Sequence, residues 1–237
     1  LDLLRREFGL PHFRPRQEEA IRAVLDARDT LCVLPTGGGK SLTYQLPSLL
    51  LPGLTVVVSP LIALIRDQFE KLRAQGIETV RLDSSLTGTE KEEALTLLEE
   101  GDQKIVLITP EGATGPAFKK RVADQKVSLL VIDEAHCVSE WGHDFRPAYL
   151  ALGALAEELG RPPILALTAT APPLVREEIV KRLGLRDPAM VVRPVARPNL
   201  RFEVKDCPSE DIKRRELVQY LRRLRRPGIV YCSTVKD

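Results

Sequence analysis

Short apolar runs punctuate this chain at residues 31–34, 54–58, 104–108, 128–132 and 164–167. Each is rich in Val, Ile and Leu and lacks strict alternation, which suits strands covered on both faces. Between them the pattern turns helical. In PLIALIRDQFEKLRAQG, Leu61, Leu64, Ile65, Phe69 and Leu72 fall on one stripe, with Pro60 suited to the first turn and Gly76 to a stop. Strand and helix in alternation predict an α/β fold: a parallel sheet sandwiched by helices, with right-handed crossovers. No internal repeat and no low-complexity tract interrupts it.

The pattern breaks between Arg193 and Asn199, where Pro194 and Pro198 and scattered charge read as a seam. Beyond it a short strand (201–204), a basic helix (211–225) and an apolar strand (228–232, GIVYC) are expected. The predicted organisation is therefore one large domain, 1–196, followed at 197–237 by a linker and the start of a second α/β unit. In the basic helix Ile212, Leu217, Val218, Leu221 and Leu224 form a stripe, and Arg214, Arg215, Arg222, Arg225 and Arg226 lie largely elsewhere. That arrangement fits a solvated face, and also a phosphate-binding one.

Composition narrows the class. Of 237 residues, 43% are hydrophobic and 29% charged, as in ordinary globular domains. No run approaches the roughly 18 apolar residues of a membrane span. The opening LDLLRR is charged and carries no signal peptide, and without an initiator Met it reads as trimmed from something longer. Cys32, Cys137, Cys207 and Cys232 are scattered with no C-x-x-C pair, so buried, reduced thiols of a cytoplasmic protein are expected rather than disulfides or zinc ligands. The net charge of +2 is unevenly spread. Residues 201–237 hold 10 Lys/Arg against 6 Asp/Glu, leaving 25 against 27 in residues 1–200.

Two stretches carry chemistry. In LCVLPTGGGKSLTYQLP (31–47) a strand runs into a glycine turn and then a helix. The phosphate-loop pattern G-x-x-x-x-G-K-[ST] is met at its end by Gly39, Lys40 and Ser41, but Leu34 stands where the first glycine belongs. Thr36, Gly37, Gly38 and Gly39 would curl the backbone so that its N–H groups converge on an anion. Lys40 would reach the β and γ phosphates, and the Ser41 hydroxyl would ligate Mg²⁺. The second stretch is SLLVIDEAHCVSEWGHDFRP (128–147). Its strand delivers Asp133 and Glu134 at the edge where open α/β sheets bind ligands. Asp133 would hold the Mg²⁺ and Glu134 would orient and deprotonate an attacking water.

The DEAH tetrad 133–136, together with PTGGGKS, resembles the nucleic-acid motors of helicase superfamily 2, whose phosphate loop tolerates the missing glycine. SEWGHDFRPAY (139–149) resembles the RecQ-type DNA helicases in particular. FRPRQEEAI, VVVSPLIALIRDQ, LTATA, RPNLRFEV and GIVYCST match that family in order, so the resemblance covers essentially the whole chain. It implies a RecA-like, P-loop NTPase lobe and the beginning of a second lobe. It further implies that Gln17 reads adenine with help from Arg14, Leu10 being the nearest candidate for a stacking neighbour. His136 would link hydrolysis to DNA, and Thr168 and Thr170 would relay nucleotide state. The loop bearing Trp141, His143, Phe145 and Arg146 would couple single-stranded DNA to hydrolysis. Physically, exposed aromatic faces and a guanidinium suit base stacking; an aromatic pinning the loop to the core is the alternative.

The resemblance thus implies an ATP- and Mg²⁺-dependent 3′–5′ DNA helicase acting on single strands and duplex junctions, involved in repair and recombination. It would be cytoplasmic, and nucleoid-associated if bacterial. An RNA-remodelling ATPase and a nucleotide-gated binding module without hydrolysis are the competing readings. With the second lobe's arginine finger beyond Asp237, these 237 residues are expected to hydrolyse and unwind poorly.

Overall fold

Every residue of an apolar run can be buried only if layers cover both faces of the strand, and that is the arrangement found. The computed structural model describes residues 1–142, 144–193, 199–224 and 228–232. Among them seven strands form one parallel sheet: β1 (Thr30–Val33), β2 (Leu54–Val58), β3 (Thr79–Leu82), β4 (Ile105–Ile108), β5 (Val127–Ile132), β6 (Ile164–Thr168) and β7 (Ala189–Val192), in the order β3-β4-β2-β5-β6-β1-β7. Alternate residues serve opposite cores. Leu31 and Val33 of β1 join one cluster with Val56, Leu130 and Ala166, whereas Cys32 and Leu34 join another with Val57, Leu129 and Leu165.

The helices are α1 (Asp2–Phe8), α2 (Gln17–Leu25), α3 (Leu42–Leu50), α4 (Ile62–Ala74), α5 (Gly88–Glu100), α6 (Pro110–Thr114), α7 (Pro116–Val122), α8 (Leu152–Glu158), α9 (Pro173–Leu183) and α10 (Glu210–Arg223). Short 3₁₀ turns occupy Ala135–Val138 and Pro147–Ala151. None of the described helices is long and apolar enough to cross a membrane. The chain divides into two compact units, Leu1–Val195 and Ala196–Asp237. The seam expected from 193 to 199 falls mostly outside the described residues.

Several expectations need correction. β3 and β7 were not legible as apolar runs. Arg81 interrupts β3, laying its guanidinium 5.7 Å from the Phe69 ring centroid and pairing with Asp83. β7 is an edge strand in which only Val191 is buried. On α4, Ile65 and Leu72 are buried as predicted, but Leu61 and Leu64 are exposed, and the helix starts at Ile62, not Pro60. Residues 201–204 and 228–232 form no strand, and Phe202, Val204, Ile229 and Tyr231 are exposed. No described strand pairs with them, and a lone strand leaves its backbone polar groups to water. The stripe on α10 is present, yet nothing on that helix is buried. Cys32 and Cys137 are buried, but Cys207 is half-buried and Cys232 exposed.

Candidate active site

In a parallel sheet all strands point their C-terminal ends at one rim, and the chemistry gathers there. β1 enters the glycine turn, β5 leads directly into Asp133, and β6, lying between them, ends in Thr168. The register sets Val33 beside Thr168 and Ile132 beside Ala166. The lysine loop and the acids are therefore two strand spacings apart, about 10 Å. Arg14, Thr36, Gly37, Gly39, Lys40, Ser41, Asp133 and Glu134 all line a single cleft of about 830 Å³.

The turn keeps its shape through glycine. Gly37 and Gly39 both have φ +78, a region that penalises any Cβ. A Cβ on Gly38 would stand 2.7 Å from the Pro35 carbonyl oxygen, and one on Gly39 would stand 2.3 Å from Gln17 Nε2. Lys40 and Ser41 belong to a turn that precedes α3, so the helix begins two residues later than expected. Lys40 Nζ lies 3.5 Å from the Leu34 carbonyl oxygen.

Gln17, expected at the adenine, packs against the glycine turn. It is 2% exposed. Its Oε1 accepts from Arg14 N at 2.7 Å, and its Nε2 donates to the carbonyls of Gly39 at 2.8 Å and Gly38 at 3.4 Å. Both ends of the amide are engaged by the protein, so in this structure Gln17 clamps the glycine turn. Arg14 lines the cleft and donates through Nη1 to the Gly37 carbonyl. Leu10 is exposed.

Asp133 is buried. Burial first, and then Glu134 beside it, push its carboxyl up to about 6, against the pull of Lys40. That pull places the lysine within electrostatic reach of the acid across the cleft. Glu134 adopts φ +48, which turns its side chain away from the strand direction. Its Oε2 lies 3.3 Å from His136 Nδ1, and this imidazole holds the carboxyl below its usual range. His136 is in turn raised to about 10, by the Cys137 sulfur 3.9 Å from Nε2 and by Glu134, the neighbour that carries charge. The imidazole Nδ1 also lies 2.9 Å from Thr168 Oγ1, whose hydroxyl donates to the Thr170 carbonyl at 3.1 Å. With its proton so used, Thr168 accepts from Nδ1–H, and a line Glu134–His136–Thr168–Thr170 runs along the rim.

The aromatic loop lies over this line. Trp141 is 72% exposed, so it does not pin the loop to the core, and Phe145 is also exposed. The loop doubles back closely enough that a Cβ on Gly142 would stand 2.4 Å from the His136 carbonyl oxygen. Arg146 is engaged, donating through Nη1 to the Pro60 carbonyl at 3.0 Å and pairing with Asp144. His143 lies outside the described residues.

A metal fits the donor set. Ser41 and Asp133 offer a hydroxyl and a carboxylate to one cleft, hard oxygen ligands of the kind Mg²⁺ takes alongside phosphates. Sequence reasoning missed Tyr44 and Gln68, joined in the cleft by a short hydrogen bond, and Tyr149, whose hydroxyl donates to the Asp133 carbonyl at 2.8 Å. Tyr44 sits in the sequence among ordinary helical positions and Tyr149 closes the 139–149 motif, and nothing in the pattern marks either as buried beside charge.

A family model described as DEAD/DEAH box helicase matches residues 14–179. Over 236 residues the chain is 43% identical to the ATP-dependent DNA helicase RecQ of Pasteurella multocida, covering 99% of this chain and 37% of that protein. It is 44% identical over 237 residues to the ATP-dependent DNA helicase RecQ of Bacillus subtilis, covering 99% of this chain and 40% of that one. The chain thus spans about two fifths of these relatives. Among solved structures it resembles the Pyrococcus furiosus Hef helicase domain, with a TM-score of 0.60 and 22% identity, over 78% of this chain and 38% of that one. At that identity the likeness concerns the fold, which is that of a helicase lobe.

Proposed function

Because this chain belongs to the DEAD/DEAH box helicase family, we propose that its first unit binds ATP–Mg²⁺ in the rim cleft and couples hydrolysis to movement on single-stranded DNA. The RecQ-like sequence supports DNA as the track and 3′ to 5′ as the direction. The glycine turn, clamped by Gln17 and Arg14, presents backbone N–H groups to the phosphates. Lys40 neutralises the β and γ oxygens. Ser41 and Asp133 would hold Mg²⁺, which supplies charge stabilisation to the phosphoryl group in flight. Glu134, kept ionised by His136, accepts a proton from water.

The observation that carries the reading is that one imidazole nitrogen, His136 Nδ1, pairs with Glu134 at 3.3 Å and hydrogen-bonds Thr168 at 2.9 Å. It ties the proposed base to the segment beneath the aromatic loop. A change in charge at Glu134 is felt at once by His136, and through it by Thr168. His136→Ala should therefore retain binding of a fluorescent ATP analogue and lose DNA-stimulated phosphate release. Equal stimulation of variant and parent would remove this route. Running the same assay with DNA and RNA oligomers tests the choice of track: stimulation by RNA alone would replace the DNA reading with an RNA-remodelling one.

A further inference from the structure

The helix after the Thr168–Ala171 segment touches the aromatic loop in a way the proposed chemistry leaves unused. α9 packs its Val175, Ile179 and Leu183 into the same cluster as Ala135, Cys137, Val138 and Ala171. Its polar side reaches both moving parts. Arg176 Nε donates to the Ala171 carbonyl at 2.9 Å, gripping the end of the relay segment. Glu178 Oε2 accepts from the fully buried Ser139 Oγ at 2.5 Å, and that same oxygen accepts from Trp141 N at 3.2 Å. Arg182 Nη2 lies 3.3 Å from Glu178 Oε1 and 3.1 Å from Glu140 Oε1, closing the group.

We propose that α9 is a bracket joining the Thr168–Ala171 segment to the aromatic loop, and that Glu178 is the positioning residue through which nucleotide binding sets the posture of Trp141. This inference rests on the reading of the cleft as a nucleotide site coupled to DNA. The physical reason is rigidity. Ser139 has one proton, which goes to Glu178, and its lone pair is thereby aimed at Trp141 N–H. A loop whose tip is exposed is then fixed at its root by two hydrogen bonds in series. Glu178 is held in turn by Arg182, one helical turn on. Motion of the Thr168–Ala171 segment pulls on Arg176, and the helix delivers it to Ser139 through Glu178, two residues on. Glu178 touches neither nucleotide nor DNA in this scheme.

The chain has a single Trp, so fluorescence excited at the red edge of the Trp band, beyond the absorption of the four Tyr, reports on this loop alone. Oligo-dT would be titrated against the chain by Trp141 quenching, with and without a non-hydrolysable ATP analogue and Mg²⁺. The parent chain should show a nucleotide-dependent change in DNA affinity of about fivefold or more, the lower end of ordinary coupling between sites. Glu178→Gln should collapse that ratio to near one without changing analogue affinity, and Glu178→Asp should restore part of it. Ser139→Ala, a milder change, should do the same, and the double variant should be no worse than either single one. If both single variants keep the parent's ratio, the bracket is wrong while the coupled site stands. If the parent itself shows no nucleotide effect, the coupled reading fails and the bracket with it.

Discussion

At the scale of single residues, the glycine turn separates two reasons for having glycine. Gly37 has φ +78 and open space around its Cβ position, so Gly37→Ala meets only the left-handed strain of about 1–2 kcal/mol. Gly39 has the same φ, but a Cβ there runs into Gln17 Nε2. Gly39→Ala must also displace a buried amide that satisfies Arg14 N and two loop carbonyls, each orphaned group adding about 1–3 kcal/mol. Urea denaturation and titration with an ATP analogue should therefore show Gly39→Ala to be markedly the more damaging, in both stability and nucleotide affinity. Equal losses would mean that the clamp does not hold the turn. Trp141 makes a different prediction, since it supports no core. Trp141→Ala should leave the melting temperature unchanged and weaken oligo-dT binding by about 1–3 kcal/mol, one base stack, measured by anisotropy of a labelled oligonucleotide. A melting temperature that falls instead would return the residue to a packing role.

At the scale of elements, the end of the sheet opposite the cleft is bolted by one acid. Asp29, at the entry to β1, accepts from Ile164 N at 2.8 Å, Arg186 N at 2.7 Å and Arg161 Nη2 at 2.6 Å, so one carboxylate joins the starts of β1 and β6 and the chain after α9. Burial raises its pKa, but Arg161 and the two backbone donors outweigh burial and leave it below the usual carboxylate value. The sign follows from linkage. A carboxyl depressed in the folded state stabilises above its unfolded value of about 3.9, and that stabilisation is lost as pH falls through the folded value. Asp29→Asn should cost about 1.5–3 kcal/mol near neutrality, since it removes the carboxylate from the largely buried Arg161 and leaves that guanidinium only its pair with the more exposed Glu157. It should also flatten the fall in melting temperature below pH 4. A variant that loses stability as steeply in acid as its parent would rule out this carboxylate as the acid-sensitive group. The bolt was invisible in the sequence, because Asp29 reads as an ordinary turn residue and its partners lie more than 130 positions away. What could be read was what short range encodes: five strands as apolar runs, the glycine turn between strand and helix, and the acids at a strand end. β7, an edge strand, and β3, broken by Arg81, gave no such run. The Glu178–Ser139 pair joins elements far apart in sequence, and the Gln17 clamp could not be read there, since only coordinates show which acceptors lie near the amide.

At the scale of the whole molecule, the question is how far one unit can carry the reaction. Every residue lining the cleft comes from the first unit, and Arg14 is the only guanidinium among the described residues that line it. Arg14 is itself committed to the Gly37 carbonyl. Among the described residues the cleft therefore offers Lys40 to the phosphates and no free guanidinium to meet charge that develops as the γ-phosphoryl leaves. In nucleotide hydrolases such a group is worth about 10³–10⁵ in rate. We accordingly expect these 237 residues to bind ATP–Mg²⁺ weakly, to release phosphate at least about 10³-fold more slowly than a chain extended to the length of its RecQ relatives, and to separate no strands. Single-turnover phosphate release and a fluorescent fork-unwinding assay, run side by side on both chains, would decide this. Lys40→Ala in each should abolish analogue binding, showing that the residual rate belongs to this cleft. Brisk unwinding by the 237 residues would mean that the first unit already holds all the charge its transition state needs, and that Arg14 leaves Gly37 to provide it.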